Sequence, residues 1–206
     1  MNIAVMASGE GTTLQAVLDA CASGRLPARV GVVISNNAAA GALRRARSAG
    51  VPALHLSAAT AGGPQPLDRA LSETLREYSS DWVLLAGYMK RLGPQTLARF
   101  AGRIINTHPA LLPEFGGQGM FGLNVHRAVL AAGRRTSGAS VHWVDENYDT
   151  GAVIAQVRVP VESGDSADSL AARVQAAERE LVIEVLAAAA SGSLNPPPLA
   201  APEATS

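Results

Sequence analysis

Asn106 and His108 sit two residues apart, in the run Arg103-Ile104-Ile105-Asn106-Thr107-His108-Pro109-Ala110-Leu111-Leu112-Pro113. In extended chain such residues project from the same face. An amide donor beside a titratable imidazole can serve a carbonyl oxygen that becomes an oxyanion. Pro109 keeps His108 out of helical geometry, and Pro113 does the same for Leu112. Taken alone, the pair is more simply a strand exit with a satisfied histidine, so the surrounding chain must decide.

A second stretch with chemical potential is Ser8-Gly9-Glu10-Gly11-Thr12-Thr13, lying between an apolar run (Ile3 to Ala7) and a helical pattern carried by Leu14, Val17 and Leu18. Strand, glycine turn and helix is a layout that binds phosphate, because the helix N-terminus presents free N–H groups. Glu10 opposes this unless its carboxylate points away. An ordinary turn with Thr12 or Thr13 as N-cap fits equally well. A third is Tyr88-Met89-Lys90-Arg91-Leu92, where Met89 and Leu92 could line a flat apolar pocket. A fourth is the turn Asp145 to Gly151, which carries Asp149.

Four further apolar segments read as strands: Ala28 to Ile34, Val51 to Leu56, Asp81 to Gly87 and, with its exit, the Asn106–His108 stretch. Helices are expected over Ala38 to Ala49, Leu67 to Tyr78 and Asn124 to Ala132. A long helix starts near Ser166 or Asp168 and runs to about Ala190. Thr60 to Pro66 reads as a Gly/Pro loop, and Glu114 to Gly122 as a glycine-rich one. From Gly138 the pattern alternates, and Val153 to Val159 returns antiparallel to it. The fold class expected is α/β: a mostly parallel, Rossmann-like open sheet with helices on both faces and a C-terminal antiparallel strand pair. Residues 1–190 form one domain in this reading, and 191–206, rich in Ser, Pro and Ala, a disordered tail. Parallel strands bring their exit loops to one edge, where ligands bind in open α/β sheets. That edge would gather a phosphate cradle, an apolar slot, the Asn/His pair and a carboxylate, a set suited to group transfer through a tetrahedral intermediate. His55, His126 and His142 read as structural, surface or cap, and structural, respectively. Arg44, Arg45 and Arg47 read as a solvated face.

Composition narrows the classes. With 206 residues, 48% of them hydrophobic and a net charge of zero, the chain can bury a substantial core and has no basic stripe for nucleic acid. Cys21 is the only cysteine, which excludes an internal disulfide and a cysteine-rich metal site, and fits a cytoplasmic location. The segment Met1 to Met6 reads as a first strand rather than a signal peptide, and no apolar run reaches membrane-span length. The absence of an acidic residue after the second strand, with an incomplete three-glycine pattern, argues against a nicotinamide dehydrogenase.

Across nearly all of the chain before the tail, the sequence resembles the phosphoribosylglycinamide formyltransferase family. The resemblance is carried by Ser8-Gly9-Glu10-Gly11 with Leu14-Gln15, Ala86-Gly87-Tyr88-Met89, Asn106-Thr107-His108-Pro109-Ala110-Leu111-Leu112-Pro113, and Gly138-Ala139-Ser140-Val141-His142 through Asp149-Thr150-Gly151. It implies transfer of a formyl group from 10-formyltetrahydrofolate, a co-substrate, to the amine of glycinamide ribonucleotide in purine synthesis, without a metal. It implies Asn106, His108 and Asp149 as the catalytic trio, with Asp149 raising the pKa of His108. Gly11, Thr12 and Thr13 match the phosphate loop, with Thr-Thr where Ser-Asn is usual. Met89, Lys90, Arg91 and Leu92, together with Asn106, match the folate side, and Gln175 and Glu178 the ribonucleotide side. The expected assembly is a monomer or homodimer. Three rivals stand beside this reading. A formyltetrahydrofolate hydrolase would add an N-terminal regulatory domain, expected to be absent here, and a transfer-RNA formyltransferase a C-terminal RNA-binding domain. A nucleotide-binding module would lack catalysis.

Overall fold

The computed structural model describes residues 1–195. Five apolar segments form parallel strands: β1 (Asn2–Met6), β2 (Arg29–Ser35), β3 (Ala53–His55), β4 (Trp82–Leu85) and β5 (Ile104–His108). β6 (Thr136–Trp143) and β7 (Val153–Pro160) then run antiparallel. All seven join one sheet in the order β3-β2-β1-β4-β5-β6-β7. The chain leaves β1 toward β2 and β3, then returns to place β4 on the other side of β1. That reversal is a topological switch point, and the loops leaving β1 and β4 diverge there to open a crevice.

The sheet is covered on both faces, so its central strands are apolar on both. On β1, Ile3 and Val5 pack into one core with α1 (Thr12–Ala22), α2 (Gly41–Ser48) and α7 (Ala167–Ala190). Ala4 and Met6 pack into the other, with Leu71 and Leu75 of α4 (Pro64–Glu77). α6 (Leu123–Ala131) adds Val129 to the first core. Residues 191–195 follow α7, and Leu194 packs against that core. The rest of the segment read as a disordered tail lies outside the described residues.

One local reading is corrected. The Gly/Pro segment is mostly helical: α3 (Ala58–Ala61) is closed by a Ser57–Thr60 capping box, and α4 starts at Pro64, whose fixed φ suits a first helical turn. A short helix unread in the sequence, α5 (Pro94–Arg99), follows the β4 exit. Its cap comes from a distant residue. Asp68 of α4, only 4% exposed, accepts from the Gln95 and Thr96 N–H groups at 2.8 and 3.0 Å and from the Thr96 hydroxyl at 2.7 Å. Asp68→Ala would leave those buried donors without a partner, so it is expected to cost about 1–3 kcal/mol in urea unfolding. Asp68→Asn, which keeps one acceptor oxygen, should cost less. Equal losses for the two variants would rule out the cap as the source.

Candidate active site

β5 carries two sets of side chains to the sheet edge. Ile105 and Thr107 face α7, whereas Asn106 and His108 face the other way, as their spacing requires. The segment after His108 is pinned by Ser140 on β6. Its buried hydroxyl donates to the Ala110 carbonyl at 2.6 Å and accepts from the Leu112 N–H at 3.0 Å.

The turn between β6 and β7 brings Asp149 over the pair. Asp145 scaffolds it by accepting from the Asn147 N–H and the Thr150 hydroxyl. Gly151 crosses so close to Trp143 that a Cβ there would lie 1.8 Å from the Trp143 carbonyl oxygen, so no other residue fits. Asp149 takes a left-handed backbone, φ 57°, which Asp tolerates better than most residues. Its Oδ2 accepts from the Gly117 N–H at 2.9 Å and lies 3.4 Å from His108 Nδ1. Its Oδ1 lies 3.4 Å from Asn106 Nδ2 and 3.5 Å from His142 Nε2. The carboxylate therefore touches both members of the pair.

Burial alone would raise the Asp149 carboxyl. The His108 imidazole and the Gly117 N–H act against it, and the pKa lies below the usual carboxylate range. For His108 the balance falls the other way. It is 3% exposed, and the loss of water lowers its pKa more than Asp149 and the Phe115 carbonyl, 2.7 Å from Nε2, raise it. The expectation that Asp149 would leave His108 with a raised pKa is thus corrected: Asp149 acts in that direction, but burial dominates.

Two other histidines lie near the pair, and the reading of one of them, His126, is corrected. His126, read as surface or cap, is 1% exposed on α6 and near enough to His108 that burial and that neighbour both lower its pKa. His142 lies directly opposite Asn106 in the β5–β6 register, with its Nε2 2.9 Å from Asn106 Nδ2. It belongs to the site. Alternation in β6 separates two faces but does not say which one meets Asn106.

On the β1 side, Gly11 (φ 73°) is the N-cap of α1, with no side-chain cap, which leaves the leading N–H groups open to an anion. A Cβ at Gly11 would lie 2.7 Å from Ala42 Cα, so α2 can pack here only against glycine. Neither threonine caps the helix. Thr12 is exposed, and the Thr13 hydroxyl donates instead to Glu178 at 3.0 Å. Glu10 turns toward α2, where Arg44 lies 3.4 Å from its carboxylate and Arg45 Nε donates to its carbonyl at 2.8 Å. Those two arginines are thus not merely a solvated face. Glu178 on α7, 7% exposed, takes the Thr13 and Thr107 hydroxyls on one oxygen; burial raises its pKa and the hydroxyls partly offset this. Gln175 is exposed and makes no side-chain hydrogen bond among the described residues.

On the β4 side a groove of about 400 Å³ runs between the β4 exit and the 145–149 turn, with Asn106 and His142 at its base. Lys90, Arg91 and Leu92 line it; Leu92 is buried and the two cations are exposed. Met89 lies outside the lining, 45% exposed, and its N–H donates to Ser8 Oγ at 2.8 Å. The wall is mixed rather than apolar: the Arg91 guanidinium stands 5.7 Å from the Tyr148 ring centre and donates to the Glu146 carbonyl. Among the described residues no cluster of His, Cys, Asp or Glu could hold a metal ion, and no helix is long and apolar enough to cross a membrane.

An uncapped helix N-terminus and a groove thus flank one amide–imidazole–carboxylate cluster, and the formyl transferase family model matches residues 1–186. The chain belongs to that family. A glycinamide ribonucleotide transformylase of Symbiobacterium toebii superposes with a TM-score of 0.90 at 42% identity, covering 96% of this chain and 91% of that one. The phosphoribosylglycinamide formyltransferase of Escherichia coli is 41% identical over 94% of this chain and 89% of its own length. The chloroplastic enzyme of that name from Vigna unguiculata is 42% identical over 91% of this chain, but the matched chain spans only 60% of that protein.

Proposed function

We propose that the chain transfers the formyl group of 10-formyltetrahydrofolate to the amine of glycinamide ribonucleotide, a step of purine synthesis. The observation that carries this reading is Asp149, an ionised carboxylate in contact with both Asn106 and His108 where the groove meets the β5 edge. The names of the S. toebii and E. coli relatives support the choice of acceptor and of the formyl group as what is transferred.

In this reading the ribonucleotide phosphate binds the open N–H groups of Gly11, Thr12 and Thr13. Backbone must do this work, because the Thr13 hydroxyl proton is committed to Glu178. Glu178, and Gln175 one turn before it, serve the ribose side. The folate ring enters the groove lined by Lys90, Arg91 and Leu92, with the Met89 backbone fixed by Ser8. The unprotonated substrate amine attacks the formyl carbon, forming a C–N bond while negative charge collects on the formyl oxygen. Asn106 donates to that oxygen through Nδ2, exchanging its long contact to Asp149 for a stronger one. His108 donates a second hydrogen bond. Burial lowers its pKa in the free chain, and the Phe115 carbonyl holds its Nε2–H, so the proton it donates is one taken up from water as the developing oxyanion supplies the negative partner that favours the charged ring. Asp149 takes the amine proton and returns it to the departing folate nitrogen as that C–N bond breaks, directly or through water.

Mixing the protein with 10-formyltetrahydrofolate, and following deformylation spectroscopically with and without glycinamide ribonucleotide, tests the assignment. Turnover is expected only with the ribonucleotide. Equal turnover without it would make water the acceptor and the protein a hydrolase; no turnover in either mixture would leave a binding module.

A further inference from the structure

We propose that His142 is a positioning residue that fixes which way the Asn106 amide faces. The inference rests on the formyl-transfer reading for its catalytic consequence, though not for its geometry. His142 is 2% exposed, and its Nδ1 lies 2.7 Å from the carbonyl oxygen of Trp143. A carbonyl only accepts, so Nδ1 carries a proton, and a ring with one proton leaves Nε2 bare, 3.5 Å from Asp149 Oδ1. Nε2 lies 2.9 Å from Asn106 Nδ2 and therefore accepts one amide hydrogen. The other amide hydrogen points toward Asp149 Oδ1 at 3.4 Å. A flipped amide would set its oxygen against a bare nitrogen and a carboxylate oxygen, with a donor for neither. The backbone supports this arrangement. The β6–β7 register shifts between Val141 and His142, an irregularity of the kind that re-aims a side chain. The Trp143 carbonyl lies against Gly151, where a side chain would collide with it.

The consequence is catalytic. An oxyanion beside Asn106 needs an N–H, and the amide could equally present oxygen. His142 decides between them through the amide, giving no hydrogen bond of its own to the oxyanion. The chain of constraint runs from the Trp143 carbonyl to the ring tautomer, then to the amide orientation and the oxyanion donor.

Two measurements test it. In ¹⁵N spectra of the histidine-labelled protein near neutral pH, the His142 ring is expected to show a protonated Nδ1 and a bare Nε2. The opposite tautomer would overturn the proposal, whether or not the protein turns over substrate. In kinetics, His142→Leu should lower kcat roughly ten- to a hundredfold with KM for formyl-folate little changed. His142→Gln, which can offer an amide oxygen to Asn106, should recover most of the loss. In an Asn106→Ala background, His142→Leu should add nothing further to the loss of kcat. Equal losses for Leu and Gln, or additive losses with Asn106→Ala, would show that His142 acts by another route. Absent turnover in the wild type would reject formyl transfer, and the ring spectrum would still decide the geometry.

Discussion

Asp149→Asn is expected to lower kcat by about a hundred- to ten-thousandfold, the range for a positioned proton-transfer group, with KM for both substrates changed little. The substitution is nearly isosteric. Its amide oxygen can still accept from the Gly117 N–H, so the turn should hold its place. What disappears is the negative charge and the capacity to accept the amine proton. The charge also matters to its neighbours. Asp149 raises the pKa of His108 against the larger effect of burial, so removing it should depress the His108 titration further below its ordinary value of 6.5. NMR titration of the two proteins reads this shift directly. The folded carboxyl titrates below its ordinary value of 3.8, so ionised Asp149 contributes stability that is fully present above that pH and is lost as pH falls through the folded pKa. Urea midpoints of wild type and variant should therefore differ near neutrality and converge in acid. A kcat loss of less than about tenfold, well under the range for a group that moves the proton, would remove Asp149 from its proposed role even if the stability pattern held.

The parts of this site that were legible in the sequence are those encoded locally. The apolar runs of β1, β2, β4 and β5 specify strands buried on both faces, and the two-residue spacing of Asn106 and His108 specifies a shared face. Both hold in the structure. Pairings across long stretches of chain were not legible. His142 meets Asn106 through an antiparallel register 36 residues away, and no pattern within β6 reveals which strand lies beside it. Asp68 caps a helix 27 residues later, so the start of α5 lacks a local side-chain cap and only Pro94 in its first turn marks it. Glu178 shares a helical face with Gln175 by spacing, yet one is buried against Thr13 and Thr107 and the other exposed. The pKa of His108 needed burial as well as partners. The sequence shows a nearby acid, but only the packed fold shows that the ring has lost its water.

Asn106→Ala is expected to lower kcat by about a hundred- to a thousandfold, the typical effect of deleting one oxyanion donor, with KM for formyl-folate nearly constant. The donor acts on charge that exists mainly in the transition state, so its loss should not weaken ground-state binding to the same degree. Asn106→Asp separates the donor from the shape. It keeps the volume of the side chain but replaces the N–H with a second carboxylate beside Asp149, whose Oδ1 is 3.4 Å from the position of Nδ2. Like charges at that distance repel, and the added charge also opposes the oxyanion. Asn106→Asp should therefore be at least as slow as Asn106→Ala despite its closer fit. If size and packing were what mattered, the order would reverse and the aspartate variant would be the faster of the two. Steady-state kinetics of the pair, with urea unfolding to verify that both are folded, separates an electrostatic role for Asn106 from a steric one.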